Sequence, residues 1–178
     1  MLSGGSVAET ETPLVACDAG PIIHLDELSA LDLLGEFAAV LVPEAVWLEV
    51  SRHRPEAFQR EQASLQRVTV EQEEDPAFDA LAQALSLGAG ERQAIQLARQ
   101  RSGAFLLTDD AAARLVAESL GLQVHGTLGI LIRAARRNQR KPAEVLALLE
   151  SLPDNSTLHL RADFLAKVIQ QFKDAYGL

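Results

Sequence analysis

LLTDDAAARL, residues 106–115, runs from an apolar stretch into two adjacent carboxylates and then into a helix-forming segment. A short apolar run that stops where a helix starts reads as a buried strand, so Asp109 and Asp110 fall where that strand ends. One reading of the position is local. Asp is a good helix N-cap, and its side chain satisfies a free N–H of the helix that follows. The other reading is collective: if carboxylates also sit at the ends of other strands, the pair belongs to a cluster assembled from distant parts of the chain.

The strand-then-helix pattern recurs along the sequence. PLVACDAGP (13–21) reads as a buried strand ending at Asp18, followed by a turn and a helix starting near Pro21. AAVLVP (38–43) is a second strand, with PEAVWLEVSRH a helix opening on Pro43. A polar helical stretch over 55–66 leads to RVTVEQ (67–72), a third strand, and residues 76–87 are helical. GAGERQAIQLARQRSG (88–103) carries a helical apolar pattern between glycines. AFLLTDD (104–110) is the next strand, with a helix to Leu120; LQVHGT (122–127) is the last, with a helix from about Leu128. Helices over 142–152 and 161–176 close the chain. Such alternation predicts a three-layer α/β/α sandwich with a mostly parallel central sheet. Residues 1–12 read as a flexible lead, 13–141 as the core domain, and 142–178 as a helical extension packed on it.

At 178 residues the chain fits one domain with a real core. The hydrophobic share of 48%, with few aromatics, implies a core of Leu, Ala, Val and Ile. Asp32, Glu36 and Glu44 interrupt the best candidate for a membrane span. The N-terminus lacks the basic start and apolar centre of a signal peptide, and the single Cys17 cannot form an internal disulfide, so a cytoplasmic location is expected. A net charge of −9 argues against coating nucleic acid by bulk electrostatics. A local cationic run exists in RAARRNQRK (133–141), which holds Arg133, Arg136, Arg137, Arg140 and Lys141. It reads either as a solvated helix end that complements the dipole or as a surface for a phosphate backbone.

Parallel α/β folds gather ligand groups at the carboxyl ends of their strands. Asp18, Asp109 and Asp110 occupy such ends, Glu91 lies in the first turn of the helix after LGAG, and Glu49 lies in the helix after the second strand. Each has a local explanation as a cap or an exposed helical residue. Together they repel at a real cost unless a cation neutralises them, and hard divalent ions such as Mg²⁺ and Mn²⁺ prefer oxygen ligands. His24, His53, His125 and His159 show no metal-ligand spacing, which argues against a zinc site. His125 reads as a packed residue or a pocket wall, and Thr108 and Thr127 are placed to orient a carboxylate.

The ordered segments DAGPII, PEAVWLEV, GAGERQAIQLA, LLTDD and LGLQVHGTLGIL, spanning about 14–140, resemble the PIN-domain nucleases, especially the bacterial and archaeal branch related to VapC-type toxins. The resemblance implies a ribonuclease that uses one or two Mg²⁺ or Mn²⁺ ions, acting as a toxin with a protein antitoxin or in RNA processing. Carried over by position, Asp18, Glu49, Glu91 and Asp110 are the catalytic carboxylates, and Asp18, Glu91, Asp109 and Asp110 the metal ligands, with Asp109 an alternate to Asp110. Strand alternation points neighbouring residues in opposite directions without saying which aspartate faces the ion. Arg133, Arg136, Arg137, Arg140 and Lys141 are expected to bind RNA, and a stripe of Phe164, Leu165, Val168, Ile169 and Phe172 to bury a homodimer face or pack on its own core. A phosphoryl-receiver domain would need an acidic pair after its first strand, and a dehalogenase-like phosphatase Asp-x-Asp there; DAGPI provides neither. The rival reading is a PIN-like module that binds nucleic acid or protein without cutting.

Overall fold

The computed structural model describes residues 13–59, 64–71 and 73–178. The lead at 1–12, residues 60–63 of the expected polar helix and Gln72 of the expected third strand lie outside the described residues. Five strands, β1 (Leu14–Cys17), β2 (Ala39–Pro43), β3 (Leu65–Val68), β4 (Phe105–Leu107) and β5 (Val124–His125), form one sheet in the order β3-β2-β1-β4-β5. Every pairing is parallel. The helices are α1 (Ala19–Glu27), α2 (Glu44–His53), α3 (Pro76–Ala84), α4 (Ala89–Gln100), α5 (Ala111–Ser119), α6 (Thr127–Arg136), α7 (Pro142–Asn155) and α8 (Ala162–Tyr176).

Strand alternation explains why the strands read as continuous apolar runs. Val15, Cys17, Val40, Val42 and Leu107 face one core, shared with Ile22, Ile130, Leu131 and Leu149 of α1, α6 and α7. Ala16, Leu41 and Leu106 face the other, shared with Phe78, Ile95, Leu97 and Val116 of α3, α4 and α5. Both faces of the sheet are covered, so neither side of a strand needs polar residues. This is the α/β/α sandwich expected from the sequence.

The differences from the sequence reading are local and have physical causes. No turn separates β1 from α1: Asp18 caps the helix directly by accepting from the Ala19 N–H at 2.8 Å, so the helix begins ahead of Pro21. The stretch expected to be helical over 55–66 holds only a 3₁₀ turn over 55–59. Leu65 and Gln66 are already strand, because Leu65 pairs with Val40 at the sheet edge. Helix α3 stops at Ala84 rather than Leu87, and Ser86 then takes a left-handed backbone with φ of 55°. An unexpected 3₁₀ segment over 31–36 buries Leu31, Leu33 and Leu34.

The terminal helices pack onto the first core through Val145, Leu149, Leu152, Leu165 and Phe172. The apolar stripe on α8 is therefore split. Leu165 and Phe172 are buried, Val168 and Ile169 are half-buried, and Phe164 is 48% exposed. Deleting most of a fully buried Leu leaves a cavity that a packed core closes only in part, at about 3 kcal/mol. Leu149→Ala should lower the free energy of unfolding by that amount in a single denaturant transition. A separate, earlier transition for the C-terminal segment would show that α7 and α8 are an independent appendage.

Candidate active site

Register places the site. Cys17 of β1, Leu107 of β4 and His125 of β5 lie in one row across the sheet. The next residue of each strand, Asp18, Thr108 and Gly126, therefore emerges at the same carboxyl edge. The backbone continues that row, with Asp18 N–H donating to Leu107 O and Thr108 N–H to His125 O, both at 2.9 Å.

Asp18 is only 5% exposed. Its Oδ1 accepts from the Ala19 N–H and its Oδ2 from the Thr108 hydroxyl, each at 2.8 Å. Thr108 is itself fully buried and accepts from the Asp110 N–H at 3.1 Å. Burial pushes the Asp18 carboxyl up to about 7; hydrogen bonds from Thr108 and Ala19 oppose this, and the charges of Glu91 and Glu49 add to it. Glu49 is also raised, first by desolvation and then by Glu91. Helices α2 and α4 bring these groups in. Gly90 lets them converge, because a Cβ there would lie 3.3 Å from Glu49 Oε2 and 3.6 Å from Asp18 Oδ1.

The two adjacent aspartates divide their work. Both lie past the end of β4 at Leu107, so strand alternation does not govern them; the turn into α5 does. Asp110 is exposed and is the N-cap of α5, accepting from the Ala113 N–H at 2.7 Å. Asp109 folds inward. Its Oδ1 accepts from the Thr127 N–H at 2.7 Å, and its Oδ2 meets the Thr127 hydroxyl at 2.6 Å and His24 Nδ1 at 2.8 Å. Helix α6 has Gly126 at its N-cap, which carries no side chain to cap with. The carboxylate of Asp109 supplies the cap from another loop. Gly126 is required for this, since a Cβ would stand 2.6 Å from Asp109 Oδ1 and 3.1 Å from Thr108 O.

Asp18, Glu49, Glu91, Asp109 and Asp110 line one pocket of about 280 Å³ together with Gly20, His24, Thr157, Leu158 and His159. No Lys or Arg lines it among the described residues. The connection between α7 and α8 is tied over this pocket by Glu27, which accepts from the Thr157 N–H at 2.7 Å, the Thr157 hydroxyl at 2.9 Å and the Ser156 hydroxyl at 3.0 Å. Desolvation raises the Glu27 carboxyl, but these hydrogen bonds win and leave it lowered.

The carboxylate donors suit a hard divalent cation. Among the described residues, no three acidic, histidine or cysteine side chains are drawn together tightly enough to clasp one ion. Asp18 is the fixed member, and the exposed Glu49 side chain has the freedom to turn inward. His24 and His159 also belong to the pocket, and sequence reasoning missed both. The signal for His24 was its i, i+4 relation to Gly20, whose bare Cα faces both Asp109 and the His24 ring. His159 gave no signal, because it reaches the pocket through a fold-back of the last two helices.

The cationic run lies elsewhere. Helix α6 starts beside Asp109 and runs ten residues, about 15 Å, toward the opposite edge of the sheet. Arg133 there donates to Glu36 at 2.8 Å, Arg137 lies 3.6 Å from Glu36, and Arg140 pairs with Asp32. Arg136, Arg137 and Lys141 are exposed. None of the five lines the acidic pocket. No described helix is long and apolar enough to cross a membrane.

A family model described as a PIN domain matches residues 14–174, which takes in α7 and all but the last two residues of α8. No curated protein and no solved structure matches at a significant level. A parallel 3-2-1-4-5 sheet with carboxylates crowded at its carboxyl edge, matched by that model over nearly the whole chain, places this protein in the PIN-domain family, a nuclease-type fold.

Proposed function

We propose that the protein is a divalent-metal-dependent ribonuclease that hydrolyses phosphodiester bonds in RNA. The observation that carries this reading is the convergence of five carboxylates on one pocket with no Lys or Arg lining it among the described residues. The charges of Glu91 and Glu49 add to the rise of the Asp18 carboxyl, like charges held together weaken the metal-free fold, and a bound cation reverses both effects. In this reading Asp18, Glu49, Glu91 and Asp110 hold Mg²⁺ or Mn²⁺. The ion supplies Lewis-acid activation of a water and neutralises charge at the scissile phosphate. Thr108 positions the Asp18 carboxylate through its 2.8 Å hydrogen bond. Asp109 holds the N-terminus of α6 and the ring of His24 in place. Arg136, Arg137 and Lys141 contact RNA backbone away from the cleavage point, whereas Arg133 and Arg140 serve the fold. A toxin role with an antitoxin protein is the biological version of this reading.

Incubation with single-stranded and structured RNA in Mn²⁺ should give cleavage that a chelator abolishes. Losing an orienting partner of a metal ligand costs 10- to 100-fold, so Thr108→Val should fall in that range, and Asp18→Asn by about 100-fold or more. Full activity in chelator or in Asp18→Asn would overturn the metal mechanism.

The two adjacent aspartates should separate in melting experiments. Asn caps about as well as Asp, so Asp110→Asn should keep the stability of the metal-free protein but lose much of the rise in Tm that Mn²⁺ confers. Asp109→Asn should cost about 1–2 kcal/mol, because the cap of α6 and the contact with His24 weaken, yet keep the Mn²⁺ response. The opposite pattern would make Asp109 the ligand.

Burial of Asp18 also predicts a pH dependence. Its carboxyl titrates near 7 when folded against an ordinary value of 3.8. Between those values the folded state holds a proton that the unfolded state has released, so metal-free stability falls as pH rises from about 4 to about 7. The displacement corresponds to roughly 4 kcal/mol. Denaturation of Asp18→Asn in chelator should lack most of this decline; an equal decline in both proteins would assign it to other groups.

A further inference from the structure

A second cavity, of about 370 Å³, opens beside the acidic pocket, and nothing in the chemistry described so far uses it. Its walls come from His125 at the end of β5, Arg114 of α5, Leu158 and His159 of the α7–α8 connection, and Phe164 in the first turn of α8. The start of α6 contributes Gly126, Leu128 and Gly129 to the wall. Asp109, Leu158 and His159 line both this cavity and the acidic pocket, so the two adjoin across a shared wall.

Their chemistries are opposite. The acidic pocket has five carboxylates. The neighbouring cavity has one, Asp109, whose two oxygens are taken by Thr127 and His24. Its remaining polar groups are an imidazole pair and a guanidinium. Arg114 is fixed by donating to Val124 O at 3.2 Å and to Thr108 O at 3.4 Å, so its plane is held at the cavity wall. His125 is fixed edge-on against Phe105, with ring centroids 5.5 Å apart and an interplanar angle of 86°. Burial, followed by the charges of Arg133 and Arg114, pushes the His125 pKa down and keeps the ring neutral, with one donor and one acceptor nitrogen. Phe164 offers an aromatic surface that is 48% exposed although its helix neighbour Leu165 is buried.

We propose that this cavity is a subsite for one unpaired nucleobase, which stacks on Phe164 while its polar edge meets His125 and His159. The inference rests on the ribonuclease reading for the identity of the polymer, but not for the chemistry of the subsite. A flat heteroaromatic ring matches an aromatic face combined with the ring nitrogens of two imidazoles and the donors of Arg114, and every base has a π-face to offer. The shared wall at Asp109, Leu158 and His159 sets the sugar-phosphate of that same nucleotide at the mouth of the acidic pocket. Phe164 is thereby a specificity-determining residue: it selects RNA whose bases are free of pairing. A second copy of the chain would be a less suitable occupant, because it would bury Arg114 and two imidazoles to cover one exposed ring.

The test uses the full chain, isotope-labelled and in chelator, titrated separately with adenosine 5′-monophosphate, uridine 5′-monophosphate and inorganic phosphate. Backbone amide shifts of Gly126, Gly129 and His159 should move with the nucleotides and not with phosphate. Phe164→Ala should weaken nucleotide binding about tenfold or more, and Phe164→Tyr should restore it. Shifts that phosphate reproduces, or affinity unchanged in Phe164→Ala, would overturn the subsite. So would light scattering that shows a dimer dependent on Phe164. Metal-dependent RNA cleavage, measured on the same samples, separates the two readings. Cleavage without nucleotide binding defeats the subsite alone, and nucleotide binding without cleavage defeats the nuclease reading while the subsite stands.

Discussion

Parallel pairing of β1, β4 and β5 in a single row is the constraint on which the site depends. Because Cys17, Leu107 and His125 are level, the chain leaves the sheet at Asp18, Thr108 and Gly126 together. Each exit starts or approaches a helix, so free N–H groups and positive helix ends point at the same edge. That arrangement makes a buried aspartate tolerable. The Ala19 N–H and the Thr108 hydroxyl offset part of the desolvation of Asp18, but not all of it, and its carboxyl remains far above the ordinary aspartate range. A one-residue slip between β1 and β4 would aim Asp18 into the helix layer and separate it from Thr108.

The fold was legible in the sequence wherever periodicity and length agreed. The apolar runs ending at Cys17, Pro43 and Leu107, and the helix punctuated by Gly88 and Gly103, lie close to their observed positions. The differences have separate causes. Strand β3 sits at the sheet edge, where partly exposed residues carry little pattern and pairing with Val40 decides the structure, whereas the 3₁₀ turn at 55–59 packs against α2 and α1. The site was legible as a set of acidic types at strand ends. The different hydrogen bonding of the two adjacent aspartates was not legible, because Asp109 is drawn to Thr127 and His24, 18 and 85 residues away. For the same reason the run from Arg133 to Lys141 looked like one cationic patch. Glu36 and Asp32, nearly a hundred residues earlier or more, draw part of it into the structure of the fold.

Asp109 shows how a residue inside an acidic site can serve architecture. It satisfies the start of α6, orders the ring of His24 and faces the cavity that holds Phe164. These contacts connect β4, α1 and α6 at one point, so the geometry of the pocket walls is transmitted through a single carboxylate. The connection between α7 and α8, held by Glu27, completes the rim from the far end of the chain. The terminal helices are therefore part of the site's construction as well as of the core.

Charge sets a further limit on how RNA would be held. The chain carries a net charge of −9, and much of its cationic inventory is neutralised internally: Arg54 by Asp26, Arg67 by Glu44, Arg92 by Asp79, Arg99 by Asp75 and Lys173 by Glu150. Tight binding through many phosphate contacts needs free Lys and Arg, because the gain comes from released counterions. Few such residues are free among the described ones, so on the proposed reading affinity would come from short-range contacts: a metal ion between carboxylates and phosphate, and a base against an aromatic ring. Both demand a backbone that can bend into a narrow pocket and bases that are not paired. On the proposed ribonuclease reading, duplex RNA would be a poorer ligand than unpaired RNA, because the duplex withholds its bases and the exposed Arg136, Arg137 and Lys141 supply little electrostatic pull to compensate.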